Sequence, residues 1–316
     1  MRVLVTGGSG FIGAQLVHRI LALHPTWQVC NLDALTYAAD PHAHDKAGPN
    51  YRFEHGAVQD PAAVERAWGS GIDLVFHLAA ESHVDRSLTH GGLFLESNIG
   101  GTQVLLERAA RSPVKHFIQV STDEVYGDLP TGAPPCTEHA PLAPSNPYAA
   151  SKAAGDLLAW AHARSFGVPV SVTRCTNNYG PTQHGEKLIP SVLRRILAGQ
   201  DIQLYGDGLQ SRDWIHVQDH VDALLHVSTL RPGKTWHISA EMEYTNRDLC
   251  ALILKSVGRS LAITPGPDRL GHDRRYALDP SALKATGWAP AIPWASGLDD
   301  CVQRIARHLH EPPDAP

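Results

Sequence analysis

The sequence predicts an α/β fold with a doubly wound parallel sheet, on three observations. Short apolar runs alternate with helix-period segments through the first half of the chain. A glycine-rich turn, residues 6–13, stands between the first run and the first helical segment. An acidic residue, Asp33, closes the second run 20 residues beyond Gly13.

The elements follow in order. Val3-Leu4-Val5 reads as a buried strand. Ile12, Leu16, Ile20 and Leu23 recur at helical spacing. Val29 to Leu32 and Asp73 to Leu78 give two more strands. Leu95, Ile99, Leu106 and Ala109 share one face of a helix. Phe117 to Ser121 is the next strand, a long helix follows Pro147, and Val168 to Arg174 is a further strand. The second half is less regular, with helices near 187–199, 219–229, 246–257 and 296–310 between Gly/Pro-rich loops. Residues 311–316 read as a frayed tail.

The chain has 316 residues, of which 43% are hydrophobic and 19% charged, so it carries enough apolar surface for a folded core. Its net charge of −5 gives no basic balance, so neither nucleic acid nor a membrane surface is an expected partner. Cys30, Cys136, Cys175, Cys250 and Cys301 are scattered and include no C-x-x-C pair, which fits reduced thiols and a cytoplasmic location. Residues 1–5 run straight into the glycine turn, so no signal peptide is expected, and no run is long enough for a membrane span. Of the 19 histidines, His42/His44 and His308/His310 lie close together, but neither pair has H-E-x-x-H spacing. No metal site is expected.

Gly7, Gly10 and Gly13 form G-x-x-G-x-x-G between a strand and a helix, the context a dinucleotide diphosphate needs. Asp33 is placed to accept hydrogen bonds from the adenosine ribose and to repel a 2′-phosphate, so NAD is the expected cofactor. Tyr148 and Lys152 form Y-x-x-x-K and share a helix face. A nearby ammonium and a nicotinamide charge would favour the phenolate of a tyrosine acting as base. Ser121-Thr122-Asp123-Glu124 ends a strand at the sheet edge where ligands bind, and its two carboxyl groups could divide into acid and base.

With these residues in place, the chain resembles the extended short-chain dehydrogenase/reductase family, and within it the dTDP-glucose 4,6-dehydratases. The shared blocks are TGGSGFIG (6–13), LDALTYA (32–38), HLAAESHVDRS (77–87), STDEVYGD (121–128), PYAASKAA (147–154), RCTNNYGP (174–181), EKLIP (186–190), YGDGLQSRDW (205–214) and GHDRRYALDP (271–280). The resemblance implies catalytic positions at Thr122, Asp123, Glu124, Tyr148 and Lys152. It implies NAD contacts at Gly7, Gly10, Phe11, Ile12, Gly13, Asp33, Val58 and Ala79, together with Tyr148 and Lys152, and places Asn98 beside the site. Substrate positions follow at His83, Asn177, Glu186, Lys187, Arg212, Asn246, Arg274 and Tyr276. Lys187, Arg212 and Arg274 are chemically suited to a diphosphate. Ala57 stands where the family usually has an aspartate facing adenine.

The activity implied is conversion of dTDP-glucose to dTDP-4-dehydro-6-deoxyglucose and water. It proceeds by C4 oxidation, water loss across C5 and C6, and hydride return to C6. Tyr148 would take the C4 hydroxyl proton, Thr122 orient that hydroxyl, Glu124 remove the C5 proton and Asp123 protonate the leaving C6 hydroxyl. A UDP- or GDP-sugar 4,6-dehydratase and a 4-epimerase are the nearest rivals, and Asp123 beside Glu124 speaks against the epimerase. A non-catalytic NAD-binding sensor on the same fold would be expected to lose these groups. The resemblance also implies a homodimer pairing through helices near 93–111 and 148–165. The expected division is an NAD-binding domain over 1–175 and a sugar-nucleotide domain over 176–310, with part of 202–240 returning to the first.

Overall fold

The computed structural model describes residues 1–45 and 47–310; the expected tail at 311–316 lies outside them. The first half winds β1 (Arg2–Thr6), α1 (Phe11–Leu23), β2 (Gln28–Asp33), β3 (Tyr51–His55), α2 (Pro61–Trp68) and β4 (Leu74–His77). Next come α3 (Val84–Thr89), α4 (Gly91–Phe94), a π-helical stretch over 95–101, α5 (Thr102–Arg111), β5 (His116–Thr122), a 3₁₀ turn over 123–126, α6 (Pro147–Phe166) and β6 (Val170–Cys175). The second half contains β7 (Asn177–Tyr179), α7 (Leu188–Leu197), β8 (Ile202–Tyr205), β9 (Ser211–His216), α8 (Val217–Thr229) and β10 (Thr235–Ile238). It closes with β11 (Glu243–Thr245), α9 (Asn246–Ser256), β12 (Ile263–Gly266), α10 (Ser281–Lys284) and α11 (Trp294–His310).

Seven strands form one parallel sheet in the order β10-β6-β5-β4-β1-β2-β3. Side chains alternate across it, as the strand period requires. Val3 and Val5 point into one layer with Leu16, Val17 and Ile20 of α1 and Leu224 of α8. Leu4 points into the other, with Val64 of α2, Leu105 of α5 and Ala159 of α6. A separate core joins α7, α9 and α11 around Ile189, Leu193, Leu249, Ile253 and Val302. β7, β9 and β11 form a small sheet in the order β11-β9-β7, and β8 pairs with β12.

Two details set the site. The chain order reverses between β1 and β4, which lie side by side with their followers on opposite flanks; that crevice is where open α/β sheets bind ligands. The helix expected around Leu95 and Ala109 is interrupted by the π-helical stretch. There Asn98 turns inward, its Oδ1 accepting from the Glu81 amide at 2.8 Å and its Nδ2 donating to the Glu81 carbonyl at 3.0 Å and Ser151 Oγ at 2.8 Å. The loop after β4 is thus pinned to α6.

Candidate active site

A cleft of about 440 Å³ opens at the carboxyl ends of the central strands. Gly7, Gly10, Phe11, Ile12, Gly13, Asp33, Val58 and Ala79 line one part; Thr122, Asp123, Glu124, Tyr148, Lys152, Asn177 and Lys187 line the other.

The glycine turn is shaped for close approach. Gly7 has φ +72°, and a Cβ there would stand 2.7 Å from the Ala79 nitrogen. A Cβ on Gly13 would lie 2.1 Å from the Gly7 carbonyl oxygen. Helix α1 begins after Gly10 with no side-chain cap, so its first N–H groups suit a diphosphate. Asp33 is buried and held in place, Oδ2 accepting from the Ser9 amide at 2.9 Å and Oδ1 from the Leu35 amide at 2.8 Å. A close-packed glycine cradle, an uncapped helix start and a fixed carboxylate together fit an NAD diphosphate and ribose.

Tyr148 and Lys152 sit in the first turns of α6. Asn146 caps that helix, its Oδ1 accepting from the Ala149 amide at 2.9 Å, and Pro147 opens it. Lys152 Nζ donates to the Val120 carbonyl at 2.7 Å. Burial pulls the Lys152 ammonium below the usual lysine range, with Asp156 opposing. Tyr148 differs from the expected lowered phenol. Burial pushes it well up and the negative charge of Glu124 adds to that, with only the Thr122 hydroxyl pulling down. Among the protein's own groups the phenol is therefore protonated.

The adjacent acids occupy different surroundings. Asp123 is buried, and Thr122 Oγ1 donates to its Oδ1 at 3.1 Å; its Oδ2 is buried with no partner among the described residues. Burial, then the charge of Glu124, hold Asp123 well above the usual carboxylate range. Glu124 is half-buried, and burial raises it too, but Arg212, Arg269 and Lys187 pull it back. Asn146 Nδ2 and the Tyr276 hydroxyl stand 3.5 Å from Glu124 Oε2. The pair can thus hold one proton on Asp123 and one charge on Glu124.

The other substrate candidates divide. Arg212 is buried; its guanidinium donates to the Ser211 and Asp273 carbonyls at 2.7 and 3.0 Å and lies 4.4 Å over the Tyr276 ring. Arg274 is exposed and makes a two-point ion pair with Asp207 at 2.9 and 3.1 Å, outside the cleft lining. His83 Nε2 lies 3.6 Å from Glu186, and neither residue lines the cleft. Asn246 starts α9, its amide donating to the Gln210 carbonyl at 3.0 Å, and does not line the cleft. Arg269, a third cation acting on Glu124, was not singled out from the sequence. It precedes the GHDRRY block by two residues, in a loop with no periodicity to mark it. Among the described residues no cluster of three or more His, Cys, Asp or Glu side chains is placed to hold a metal, and no helix is long and apolar enough to cross a membrane.

Comparison with known proteins places this geometry. A dTDP-glucose 4,6-dehydratase from Streptomyces griseus is 47% identical over 313 residues, covering 97% of this chain and 94% of that protein. The crystal structure of DesIV, a dTDP-glucose 4,6-dehydratase from Streptomyces venezuelae with NAD and TYD bound, superposes with a TM-score of 0.93 at 42% identity over 97% of each chain. A UDP-glucose 4-epimerase from Thermotoga maritima shares the fold at a TM-score of 0.91 and 28% identity, over 98% of this chain and all of that one. The model of the NAD dependent epimerase/dehydratase family matches residues 3–239, and the chain belongs to that family.

Proposed function

We propose that the protein is a dTDP-glucose 4,6-dehydratase, a hydro-lyase that uses NAD as a resident cofactor. The observation that carries this reading is the adjacent Asp123–Glu124 pair in the cleft with Tyr148, one carboxyl pushed well above the usual carboxylate range by burial and its neighbour drawn back toward ionisation by Arg212, Arg269 and Lys187. An epimerase has no water to expel and no use for such a pair. The 47% identity to a protein of this activity supports the same choice.

NAD, when bound, supplies the two-electron acceptor and donor for the sugar. Gly7, Gly10 and Gly13, with Phe11, Ile12, Asp33, Val58 and Ala79, would hold it, and Lys152 would hold its nicotinamide ribose. Thr122 would orient the C4 hydroxyl, and Tyr148 would take its proton as a phenolate, the form that the nicotinamide charge of bound NAD and the Lys152 ammonium one turn along the same helix face would favour. The C4 ketone then acidifies C5–H. Glu124 removes that proton, and Asp123 protonates the departing C6 hydroxyl. Lys187 brings a point charge for the diphosphate, and the Arg212 charge favours the ionised form of Glu124.

We further propose a homodimer. Leu95 and Leu157 stand 58% and 61% exposed on the helical run 91–111 and α6, apolar surface suited to a second copy. The free thiols fit a cytoplasmic location. A boundary near residue 175 divides an NAD-binding part from a sugar-nucleotide part.

The deciding assay supplies dTDP-glucose deuterated at C4, beside UDP-glucose. Loss of one water with deuterium recovered at C6 is expected from dTDP-glucose. Deuterium released to solvent, a product of unchanged mass, or preference for UDP-glucose would each overturn the corresponding part of the proposal.

A further inference from the structure

We infer that Asp156, clamped by Arg174, is a positioning residue that holds Lys152 as a buried ammonium at the wall of the cleft. The inference rests on the function proposed above for its kinetic consequence, though not for its structural one.

Lys152 is 6% exposed, and its named partner is the neutral Val120 carbonyl. A buried ammonium is costly without a counter-charge. Asp156 follows Lys152 by one helical turn on α6, on the same face, and is wholly buried. Arg174 Nε of β6 donates to its Oδ2 at 3.0 Å, while Oδ1 has no hydrogen-bond partner among the described residues.

The clamp extends away from the cleft as a chain with a forced direction. Arginine only donates, so Arg174 Nη1 donates a hydrogen bond to the Tyr126 hydroxyl oxygen, at 2.5 Å. Tyr126 must then turn its own proton to His237 Nε2, at 2.6 Å. His237 Nδ1–H in turn donates to the Asp279 carbonyl, at 3.2 Å. Burial depresses His237 to about 4, so it is neutral. The chain therefore delivers one cation, Arg174, to Asp156, and Asp156 serves two buried cations at once.

The groups acting on Lys152 from other elements carry no charge at neutral pH. Cys175 of β6 is pushed up to about 12 by burial, and His77 of β4 is pushed down to about 3. Tyr148, on α6 itself, is a protonated phenol. Asp156 is left as the acid that offsets the burial of Lys152; burial raises it, and the charges of Arg174 and Lys152 draw it back toward its ionised form.

Two variants test this. Asp156→Asn removes the anion, so the Lys152 titration should fall by about 1 to 3 pH units. Arg174→Gln removes the cation that most favours the ionised form of Asp156, so the Lys152 titration should fall as well, by less. Both are read by ¹⁵N NMR of Nζ-labelled lysine in the full chain without sugar nucleotide. The alkaline limb of kcat should move with the NMR titration in each variant. Either variant alone decides the matter should the other fail to fold. A Lys152 signal that does not move, or a uniform loss of kcat at every pH with unmoved limbs, overturns the inference. Wild-type protein that fails to turn over dTDP-glucose overturns the functional proposal instead and leaves the NMR result standing.

Discussion

The Thr122 hydroxyl donates to Asp123 Oδ1 at 3.1 Å, and the other oxygen of that carboxyl, Oδ2, is buried with no partner among the described residues. A proton carried on Oδ2 has nowhere to go within the protein and is available to a bound sugar. Asp123→Asn keeps the shape and removes the transferable proton. Dehydration should slow by about 10²- to 10⁴-fold while C4 oxidation persists. Single-turnover nicotinamide absorbance, followed beside quenched-product analysis, separates the two steps; equal loss of both would refute the acid role.

Glu124 must be ionised to act, so activity should fall on the acid side as it takes up a proton. Lys187 is one of three cations that pull it down against burial. Lys187→Gln removes that pull, so Glu124 should protonate at higher pH. The acid limb of the kcat profile should therefore move upward by about half a pH unit to one unit. A limb that moves down, or stays fixed, would contradict the assignment.

Gly13→Ala should abolish cofactor retention, because the added Cβ would lie 2.1 Å from the Gly7 carbonyl oxygen and must push the turn out of shape. A cost of about 1–3 kcal/mol in stability is expected from such overpacking. Calorimetric titration with NAD and a thermal melt measure the two effects separately.

His77 is wedged between two threonine hydroxyls, with Thr6 Oγ1 at 2.7 Å from Nδ1 and Thr102 Oγ1 at 3.0 Å from Nε2. Burial lowers it to about 3. The unfolded chain takes up the histidine proton near pH 6.5, so stability present above that pH is lost as the pH falls toward 3. His77→Gln does not titrate. Denaturant melts should show the stability gap between wild type and variant narrowing from pH 6.5 to pH 4.5. A constant gap would mean that His77 does not carry this dependence.

The sheet was legible where its strands are buried on both faces, as at Val3–Val5 and Phe117–Ser121, because such strands read as unbroken apolar runs. β3 was not read from the sequence. It is an edge strand, YRFEH, that mixes charge and aromatic residues because one side meets water. The short helix α2 also went unread, although Asp60 caps it and Pro61 opens it. The π-helical stretch has no sequence period of its own; it follows from Asn98 turning to meet Glu81 and Ser151.

In the site, Tyr148 and Lys152 were visible as a spacing, and Asp123 beside Glu124 as a strand-end pair. Their environments were not. That Tyr276 reaches Glu124 from 152 residues away, and that Arg274 faces Asp207, are facts of loop folding that no local pattern encodes. The expected help of Lys152 to the Tyr148 phenol also looked stronger in one dimension. In the fold, burial and the charge of Glu124 raise the phenol instead.

β10 comes from the second half of the chain yet lies against β6 as the outermost strand of the first-half sheet. Swapping sugar-recognition halves between relatives by joining two genes near residue 175 would replace the neighbour of β6 with the donor's strand, and a strand that pairs poorly would leave a bare, adhesive border. A productive crossover must carry residues 235–238 with the cofactor half, or choose a donor whose own strand matches Val172 to Cys175 in register.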